Sequence, residues 1–269
     1  MDLSAVKLVV TDMDGTLLHS NGKMSSDFLP LFEKMKAHQV QFSAASGRQF
    51  YNLLNQFPTI KNDMYFIAEN GSYVVFQDRE LLVQSLPAEI VRELVMKART
   101  IPQVHIILCG KKQAYIDSTA PEFMVHVEKY YDRRLLVEDL LEVQDDEFLK
   151  IAICDLGGSE GNSYPHFKHL ENELQVKVSG SIWLDLSHKL ANKGRALHVL
   201  QTALGISDKE TMVFGDYLND LEMMEQAYFS FAMENAHPQI KEIARFTTKT
   251  NDEDGVVSVL NNLVAQIEN

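Results

Sequence analysis

Long hydrophobic runs are missing from this sequence, and no stretch approaches the roughly 20 apolar residues of a membrane-spanning helix. The opening stretch MDLSAVK also lacks a basic segment followed by an apolar one, so we expect no signal peptide. Cysteine is scarce, and its two copies, Cys109 and Cys154, both lie within apolar stretches. We therefore expect buried, reduced thiols instead of a disulfide or a nucleophile, as suits a cytoplasmic protein.

Positive charge is also in short supply. The 25 Lys and Arg residues are outnumbered by 38 Asp and Glu residues, which gives a formal net charge of −13. A field of this sign opposes binding to nucleic acid or to an anionic membrane, so we expect neither as a partner. An anionic substrate would need a local positive group, such as a metal ion, a lysine or a helix N-terminus.

Strand-like and helix-like segments alternate at both ends of the chain. Near the N-terminus, predicted strands and helices follow one another at 6–10, 25–39, 40–46, 48–57 and 64–71. The alternation resumes with predicted elements at 193–204, 210–216, 218–227, 228–233, 237–246 and 256–267. This order predicts an α/β fold with a parallel sheet covered by helices.

The middle of the chain follows a different pattern. It is predicted to form a hairpin, three helical regions and several strands, at 72–84, 88–100, 104–109, 113–117, 119–131, 148–155, 164–173, 176–179 and 182–187. Such an order is typical of an α+β module with an antiparallel sheet. We therefore predict a core formed by residues 1–83 and 187–269, with an inserted α+β domain at 84–186.

Polar residues follow four of the predicted core strands, in the stretches DMDGT, SGR, ENG and GDYLND. Ligands of an open parallel sheet bind outside the carboxyl ends of its strands, so Asp12, Asp14 and Asp216 should meet there. Two such charges about 4 Å apart repel by roughly 4 kcal/mol at an effective dielectric of 20, which favours a compensating cation. Oxygen ligands suit Mg²⁺. The alternative is a set of separate, solvated loop carboxylates, with Asp14-Gly15 as a simple turn.

The stretches DMDGTLL, ASGR, NKG and GDYLND, in this order, resemble the four motifs of the haloacid dehalogenase (HAD) superfamily of phosphatases. The insertion between the second and third motifs resembles that superfamily's C2-type (C2B) cap. The stretches IAENG, FAMENAHPQIKEIA and NDEDGV are similar to the Cof-type branch, which consists mostly of small-molecule and sugar-phosphate phosphatases. Two further stretches, ASGRQFYNLLNQFP and CGKKQAYIDSTAPE, resemble bacterial sugar phosphatases of that branch. The resemblance implies a Rossmann-like core and a Mg²⁺ cofactor.

The resemblance assigns the first motif to the reaction itself. Asp12 matches the nucleophile, which forms an aspartyl-phosphate, and it also matches a metal ligand. Asp14 matches the general acid and base, and its backbone carbonyl matches a further metal ligand. The Met13 amide matches a phosphate donor, and Gly15 permits the turn that brings backbone N–H groups to the phosphate.

The second motif matches a phosphate-binding loop. The Ser46 hydroxyl and the Gly47 backbone at a helix N-terminus would hold phosphate oxygens, although a plain N-cap serine is the alternative. Arg48 is a candidate substrate contact or a solvated first-turn arginine.

The third and fourth motifs complete the predicted site. Lys193, with Lys189 as a rival, would neutralise the transferring phosphoryl group. Asp216 matches a metal ligand, and Asn219 would bind phosphate or orient metal-bound water. Asp220 would pair with Lys193 and orient it. Tyr217 departs from the pattern, because relatives often have glycine or serine there, and we expect it to narrow the site or to shift a metal-bound water.

Several residues outside the four motifs are further candidates. Asn70 and Asn235 are expected either to face the substrate or to have a structural role, since Asn70-Gly71 also suits a hairpin turn. The inserted domain would close over the site and contact the leaving group. Its candidate contacts are Lys111, Lys112, Gln113, Trp183 and Asp185, with Trp183 as a packing residue in the alternative.

The sequence thus predicts a cytoplasmic, Mg²⁺-dependent phosphatase acting on a small phosphorylated metabolite, most simply a sugar phosphate, and working as a monomer or a weak homo-oligomer. Two alternatives stay open. A sugar phosphomutase would return the phosphate to another hydroxyl, and a regulator would bind sugar phosphate without turnover. The complete set of Asp12, Asp14, Lys193 and Asp216 argues against the regulator.

Overall fold

The computed structural model describes residues 1–268, which form two compact units. The first unit comprises Met1–Gly47, Pro58–Leu82 and the chain from Asn192 onward, and the second comprises Arg48–Phe57 and Val83–Ala191. These bounds differ from the predicted ones, because the second unit ends at Ala191 and includes the distant segment Arg48–Phe57. Within the described residues, every helix is too short or too polar to cross a membrane.

The first unit contains an eight-stranded sheet in the order β14-β13-β12-β1-β2-β3-β4-β5. Its strands are β1 (Leu8–Thr11), β2 (Gln41–Ala45), β3 (Tyr65–Ala68), β4 (Tyr73–Phe76), β5 (Arg79–Val83), β12 (Thr211–Gly215), β13 (Phe229–Ala232) and β14 (Phe246–Thr247). The six strands from β14 to β3 are parallel, and β4 is antiparallel to β3. The predicted parallel sheet is confirmed.

Among the described residues, the α-helices of the first unit are α1 (Phe28–Ala37), α6 (Lys193–Leu204), α7 (Leu221–Glu225), α8 (Pro238–Ile243) and α9 (Gly255–Ile267). All four residues of β1 are buried, as expected for a central strand with both faces covered. Helix α6 begins at a capped end, because the Asn192 side chain accepts a hydrogen bond from the Arg195 N–H. It ends at Gly205, which adopts a left-handed conformation. The N-cap fixes Lys193 as the first residue of the helix.

The second unit contains a six-stranded sheet in the order β10-β11-β9-β6-β7-β8. Its strands are β6 (Val104–Gly110), β7 (Ala114–Ile116), β8 (Arg134–Leu136), β9 (Phe148–Asp155), β10 (Leu174–Gly180) and β11 (Trp183–His188). Its helices are α2 (Phe50–Gln56), α3 (Ala88–Ala98), α4 (Pro121–Tyr130) and α5 (Tyr164–Phe167). The predicted antiparallel pattern is confirmed, except that β8 runs parallel to β7.

Strand β9, near the centre of this second sheet, is buried on both faces. In β9, Ile151 and Ile153 pack into a core that includes residues of α3, whereas Ala152 and Cys154 face a core that includes residues of α4. Cys109 and Cys154 are free and buried, as predicted, and burial raises the pKa of the Cys154 thiol to about 12. The protonated form of the Cys154 thiol is therefore favoured at neutral pH, which suits a packing group.

Some predicted elements differ in extent. The helix expected at 164–173 is a single α-helical turn, α5, followed by a short 3₁₀ segment, Lys168–Leu170. The helix expected at 218–227 likewise begins as 3₁₀ at Leu218–Asp220 before α7. The short strands β8 and β14 were not predicted, because two or three residues are too few to show a strand period.

Candidate active site

The site in the first unit is formed where β1 and β12 end side by side. The two strands pair in parallel, with Thr11 opposite Phe214, so Asp12 and Asp216 both follow at the same edge. The Asp12 N–H donates a 3.0 Å hydrogen bond to the Phe214 carbonyl, which continues the strand pairing by one residue. Strand β1 lies between β2 and β12, so the sheet's connections diverge at this point, where open α/β sheets bind ligands.

Lys193 bridges two carboxylates at the centre of this edge. Its Nζ lies 2.5 Å from Asp12 Oδ1 and 2.6 Å from Asp220 Oδ1. Burial alone would lower the pKa of Lys193, but the two carboxylates outweigh it and the pKa is raised, so the ammonium stays charged. Lys189, the rival for this role, donates instead to the Glu171 carbonyl at 2.5 Å.

Asp220 is held from both sides. One carboxylate oxygen accepts from Lys193, and the other accepts from the backbone N–H groups of Asp216 at 3.0 Å and of Tyr217 at 3.2 Å. The orienting role predicted for Asp220 therefore has a geometric basis. The Tyr217 ring is half exposed and packs edge-on against the His237 ring, with 5.8 Å between centroids.

Asp216 lies directly against the first motif. Its Oδ1 accepts a 3.0 Å hydrogen bond from the Thr16 hydroxyl, a contact that the sequence analysis did not predict. Gly15 has φ of +80°, and a Cβ added there would overlap Asp216 Oδ2. Burial, reinforced by the Asp220 carboxylate, raises the pKa of Asp216 to about 7. Burial likewise raises the pKa of Asp12 well above its usual range, against the opposing effect of Lys193.

Three carboxylates of this edge could share a cation. Asp12, Asp216 and Asp220 each offer an oxygen within 4.8 Å of the others, whereas the Asp14 side chain is not part of this set. Three carboxylates set against the one ammonium of Lys193 leave two formal negative charges in excess in a largely buried volume. The donor set therefore fits a hard divalent cation such as Mg²⁺. Asp220 already accepts hydrogen bonds from Lys193 and from two backbone N–H groups. The better side-chain ligands for the cation are therefore Asp12 and Asp216.

The first motif continues as a tight loop after Asp12. The Met13 carbonyl accepts a 2.8 Å hydrogen bond from the Leu18 N–H, and the Met13 side chain is buried. Asp14 is exposed, as a group that exchanges protons with substrate or water would need to be. Asn235 holds the loop from outside: it donates a 2.8 Å hydrogen bond to the Gly15 carbonyl and accepts one from the Asn251 N–H.

The second motif lies beside the turn that follows β3. The Ser46 N–H donates to the Ile67 carbonyl, and the Ser46 carbonyl accepts from the Asn70 N–H, both at 2.9 Å. Asn70 Oδ1 in turn accepts a 3.1 Å hydrogen bond from Asn219 Nδ2. Gly47 packs so closely on Asn70 that an added Cβ would lie 3.0 Å from its carboxamide.

The remaining candidates lie in the second unit. The Arg48 guanidinium donates to Asn52 Oδ1 at 3.0 Å. Lys111 pairs with Glu147 at 2.7 Å, Lys112 donates to the Asp145 carbonyl, and the Gln113 carbonyl accepts from the Gly110 N–H.

Trp183 and Asp185 have structural partners in the same unit. The Trp183 ring packs edge-on against His126 and Tyr130, which supports the packing interpretation. Asp185 lies 3.6 Å from the ammonium of Lys150, a buried lysine that the sequence analysis missed. Its only sequence signal is a lysine among the apolar residues of the strand FLKIAICD.

An α/β fold with two aspartates at adjacent strand ends, beside a buried Lys–Asp ion pair, is typical of phosphoryl-processing hydrolases. The chain belongs to the family of haloacid dehalogenase-like hydrolases, whose model matches residues 9–260. It is a phosphoric monoester hydrolase of the HAD superfamily with a Cof-type cap domain.

Two characterised relatives span most of the chain. The chain is 34% identical to 5-amino-6-(5-phospho-D-ribitylamino)uracil phosphatase YbjI of Escherichia coli, with 97% of each protein covered. It is 27% identical to the HMP-PP phosphatase of Escherichia fergusonii, over 87% of this chain and 86% of that protein.

Solved structures share the fold. A protein from Streptococcus mutans superposes with a TM-score of 0.86 at 28% identity, covering 97% of this chain and 99% of the other. A protein from Thermotoga maritima superposes with a TM-score of 0.84 at 27% identity, covering 96% and 97%. A HAD subclass IIB sugar phosphatase, at 20% identity and a TM-score of 0.81, covers 96% and 98% and supports the fold alone.

Proposed function

We propose that this protein is a Mg²⁺-dependent phosphatase of small phosphomonoesters, above all sugar phosphates, and that it works through an aspartyl-phosphate. The observation that carries the proposal is the buried Lys193, which lies within 2.6 Å of both Asp12 and Asp220. A buried ammonium at a nucleophilic carboxylate suits phosphoryl transfer, because negative charge accumulates on the oxygens of the transferring group.

In the first half-reaction, the Asp12 carboxylate attacks phosphorus and the bond from phosphorus to the ester oxygen breaks. The leaving alkoxide takes a proton from Asp14, which is exposed at the loop surface and two residues from the nucleophile. Lys193 opposes the effect of burial on the pKa of Asp12 and so favours the ionised form, which is the form that would attack.

In the second half-reaction, water attacks the phosphorus of the aspartyl-phosphate and gives its proton to Asp14. The bond between phosphorus and the Asp12 oxygen breaks, which releases inorganic phosphate and restores both carboxyl groups. Ser46, Gly47, Asn219 and the Met13 amide are the proposed contacts of the phosphoryl oxygens. Mg²⁺, held by Asp12, Asp216 and the Asp14 carbonyl, would neutralise charge on those oxygens.

The proposed substrate class rests on the relatives. The E. coli relative acts on a phosphorylated ribityl compound, that is, a phosphate ester at the end of a polyhydroxylated chain. Because the two proteins are 34% identical, phosphate esters of this class are the first substrates to assay. The panel contains 5-amino-6-(5-phospho-D-ribitylamino)uracil and common sugar phosphates.

The test is release of inorganic phosphate by purified protein from an aryl phosphate and from this panel, with Mg²⁺ and with excess EDTA. We expect release that EDTA abolishes and Mg²⁺ restores. Activity that persists in EDTA would remove the metal from the proposal. An isomerised sugar phosphate without phosphate release would indicate a phosphomutase, and binding without turnover would indicate a regulator.

A further inference from the structure

The turn Glu69–Gly71, which follows β3, has an unusual backbone. Its three residues all have positive φ, with values of 51° at Glu69, 54° at Asn70 and 95° at Gly71. Asparagine and glycine tolerate this region, but for glutamate it is costly. Glu69 is nevertheless buried, with 1% of its surface exposed. Surrounding structure must hold such a turn in place, and strained backbone of this kind is concentrated at functional sites.

The turn touches three of the four predicted motifs. Asn70 donates its N–H to the Ser46 carbonyl and packs on Gly47 in the second motif. A Cβ added at Gly71 would overlap the carbonyl of Asn192, the residue that caps the helix of Lys193. The third contact is the 3.1 Å hydrogen bond from Asn219 Nδ2 to Asn70 Oδ1, which spans 149 residues of sequence.

We propose that Asn70 is a positioning residue that sets the rotation of the Asn219 carboxamide. A carboxamide has two N–H donors, and the bond to Asn70 uses one of them. This bond fixes the rotation of the Asn219 carboxamide about its side-chain bond, so that its second N–H and its oxygen point in defined directions. Asn70 thereby aligns Asn219 with the loop of Ser46 and Gly47, so that both present donors to the same phosphoryl group. This inference rests on the proposed phosphate-binding role of Asn219.

The test compares Asn70→Gly, Asn219→Ala and the double variant. Glycine is the appropriate replacement because it accepts φ of 54° without strain and removes the side chain with its carboxamide while keeping the backbone N–H. Gln77→Gly is the matched control, because Gln77 is an exposed amide residue with φ of 53° in the same unit. Among the described residues, the one hydrogen-bond partner of its side chain is the Asn62 carbonyl.

Two quantities are measured: kcat and KM for phosphate release, and the dissociation constant of orthovanadate by calorimetry with Mg²⁺ present. Loss of one hydrogen bond of about 0.5 to 1.5 kcal/mol corresponds to a roughly two- to tenfold weakening. We expect Asn70→Gly to weaken vanadate binding and raise KM by this factor. In the Asn219→Ala background the same change should have less than a twofold effect, and Gln77→Gly should match the wild type.

Two results would overturn the inference: wild-type vanadate binding and KM in Asn70→Gly, or an effect of Asn70→Gly that is undiminished in the Asn219→Ala background. A merely structural role would lower the melting temperature and give such an undiminished effect. The calorimetric measurement does not need turnover. Absence of phosphatase activity in the wild type would contradict the proposed function, whereas the coupling between Asn70 and Asn219 would still be measured by vanadate binding.

Discussion

Lys193 donates a 2.6 Å hydrogen bond to Asp220, and neither side chain exposes any surface to solvent. Asp220 accepts from three donors in all, the other two being backbone N–H groups. An amide has one acceptor oxygen, so asparagine at this position would leave at least one buried donor facing an NH₂ group.

We therefore expect Asp220→Asn to lower the free energy of unfolding by about 3 kcal/mol or more, because it breaks a buried ion pair from one side. Turnover should fall about 100-fold, since Lys193 loses the partner that fixes it. Urea unfolding and kcat measure the two effects, with Asp78→Asn, an exposed turn residue, as control. A variant that keeps wild-type kcat would contradict the orienting role.

Replacing Asp12, the proposed nucleophile, should have the opposite effect on stability. Asp12→Asn should reduce kcat by about 10³-fold or more, because an amide is a poor nucleophile at phosphorus. The new amide oxygen can still accept from Lys193, and the three clustered carboxylates become two. In EDTA the melting temperature should therefore be unchanged or higher. Near-normal phosphate release would refute the assignment.

Gly15 and Gly22 form a matched pair for testing the contact with Asp216. Both have left-handed φ, +80° and +77°, but an added Cβ overlaps the Asp216 carboxylate at Gly15 and meets nothing within 4 Å at Gly22. Alanine at either position should lower the free energy of unfolding by about 1 kcal/mol through backbone strain. Only Gly15→Ala should also lose activity, by about 100-fold, as it displaces Asp216. Equal activity in the two variants would show that this contact has no role in turnover.

The lowered pKa of Glu210 should make the stability of the first unit depend on pH. The ammonium of Lys7, together with the N–H and hydroxyl of Ser207, lowers the pKa of this carboxyl to about 2. A carboxyl group whose pKa is lower in the folded protein than in the unfolded chain stabilises the fold at pH values above its unfolded pKa. This stabilisation is lost as pH falls from about 5 toward 2.

Glu210→Gln should therefore melt below the wild type at pH 7, and the difference should close as pH approaches 2. Melting curves at pH 7, 4 and 2.5 measure it, and high salt should shrink the difference at pH 7 because the pair is at the surface. Glu234→Gln, at another exposed position of the same unit, serves as control. A difference independent of pH would exclude an electrostatic origin.

The four predicted motifs could be placed from the sequence because each directly follows a strand or begins a helix. Asp12 and Asp216 end two short apolar strands, and strand pairing alone brings them together. Lys193 was preferred to Lys189 because NKG, at the start of a predicted helix, resembles the family's third motif, and in the structure Asn192 caps that helix.

Contacts that depend on side chains of distant loops were not predictable. The sequence placed Asn70 in a turn, but its hydrogen bond to Asn219 depends on how two distant loops come together in the folded chain. The segment Arg48–Phe57 was placed with the core, because it directly follows a core strand. It belongs to the second unit, where Asn52 and Asn55 both donate to Asp132, 80 and 77 residues away.

The pairing of β1 with β12 has a consequence for how the protein is made. Strand β1 can pair with β2 soon after synthesis begins, but its other neighbour emerges some 200 residues later. Until then, the nascent chain contains Asp12, the proposed nucleophile, without Lys193, Asp216 or Asp220. If these residues have the proposed roles, a growing chain has no phosphatase activity until the last third of the polypeptide has been made and the sheet is complete.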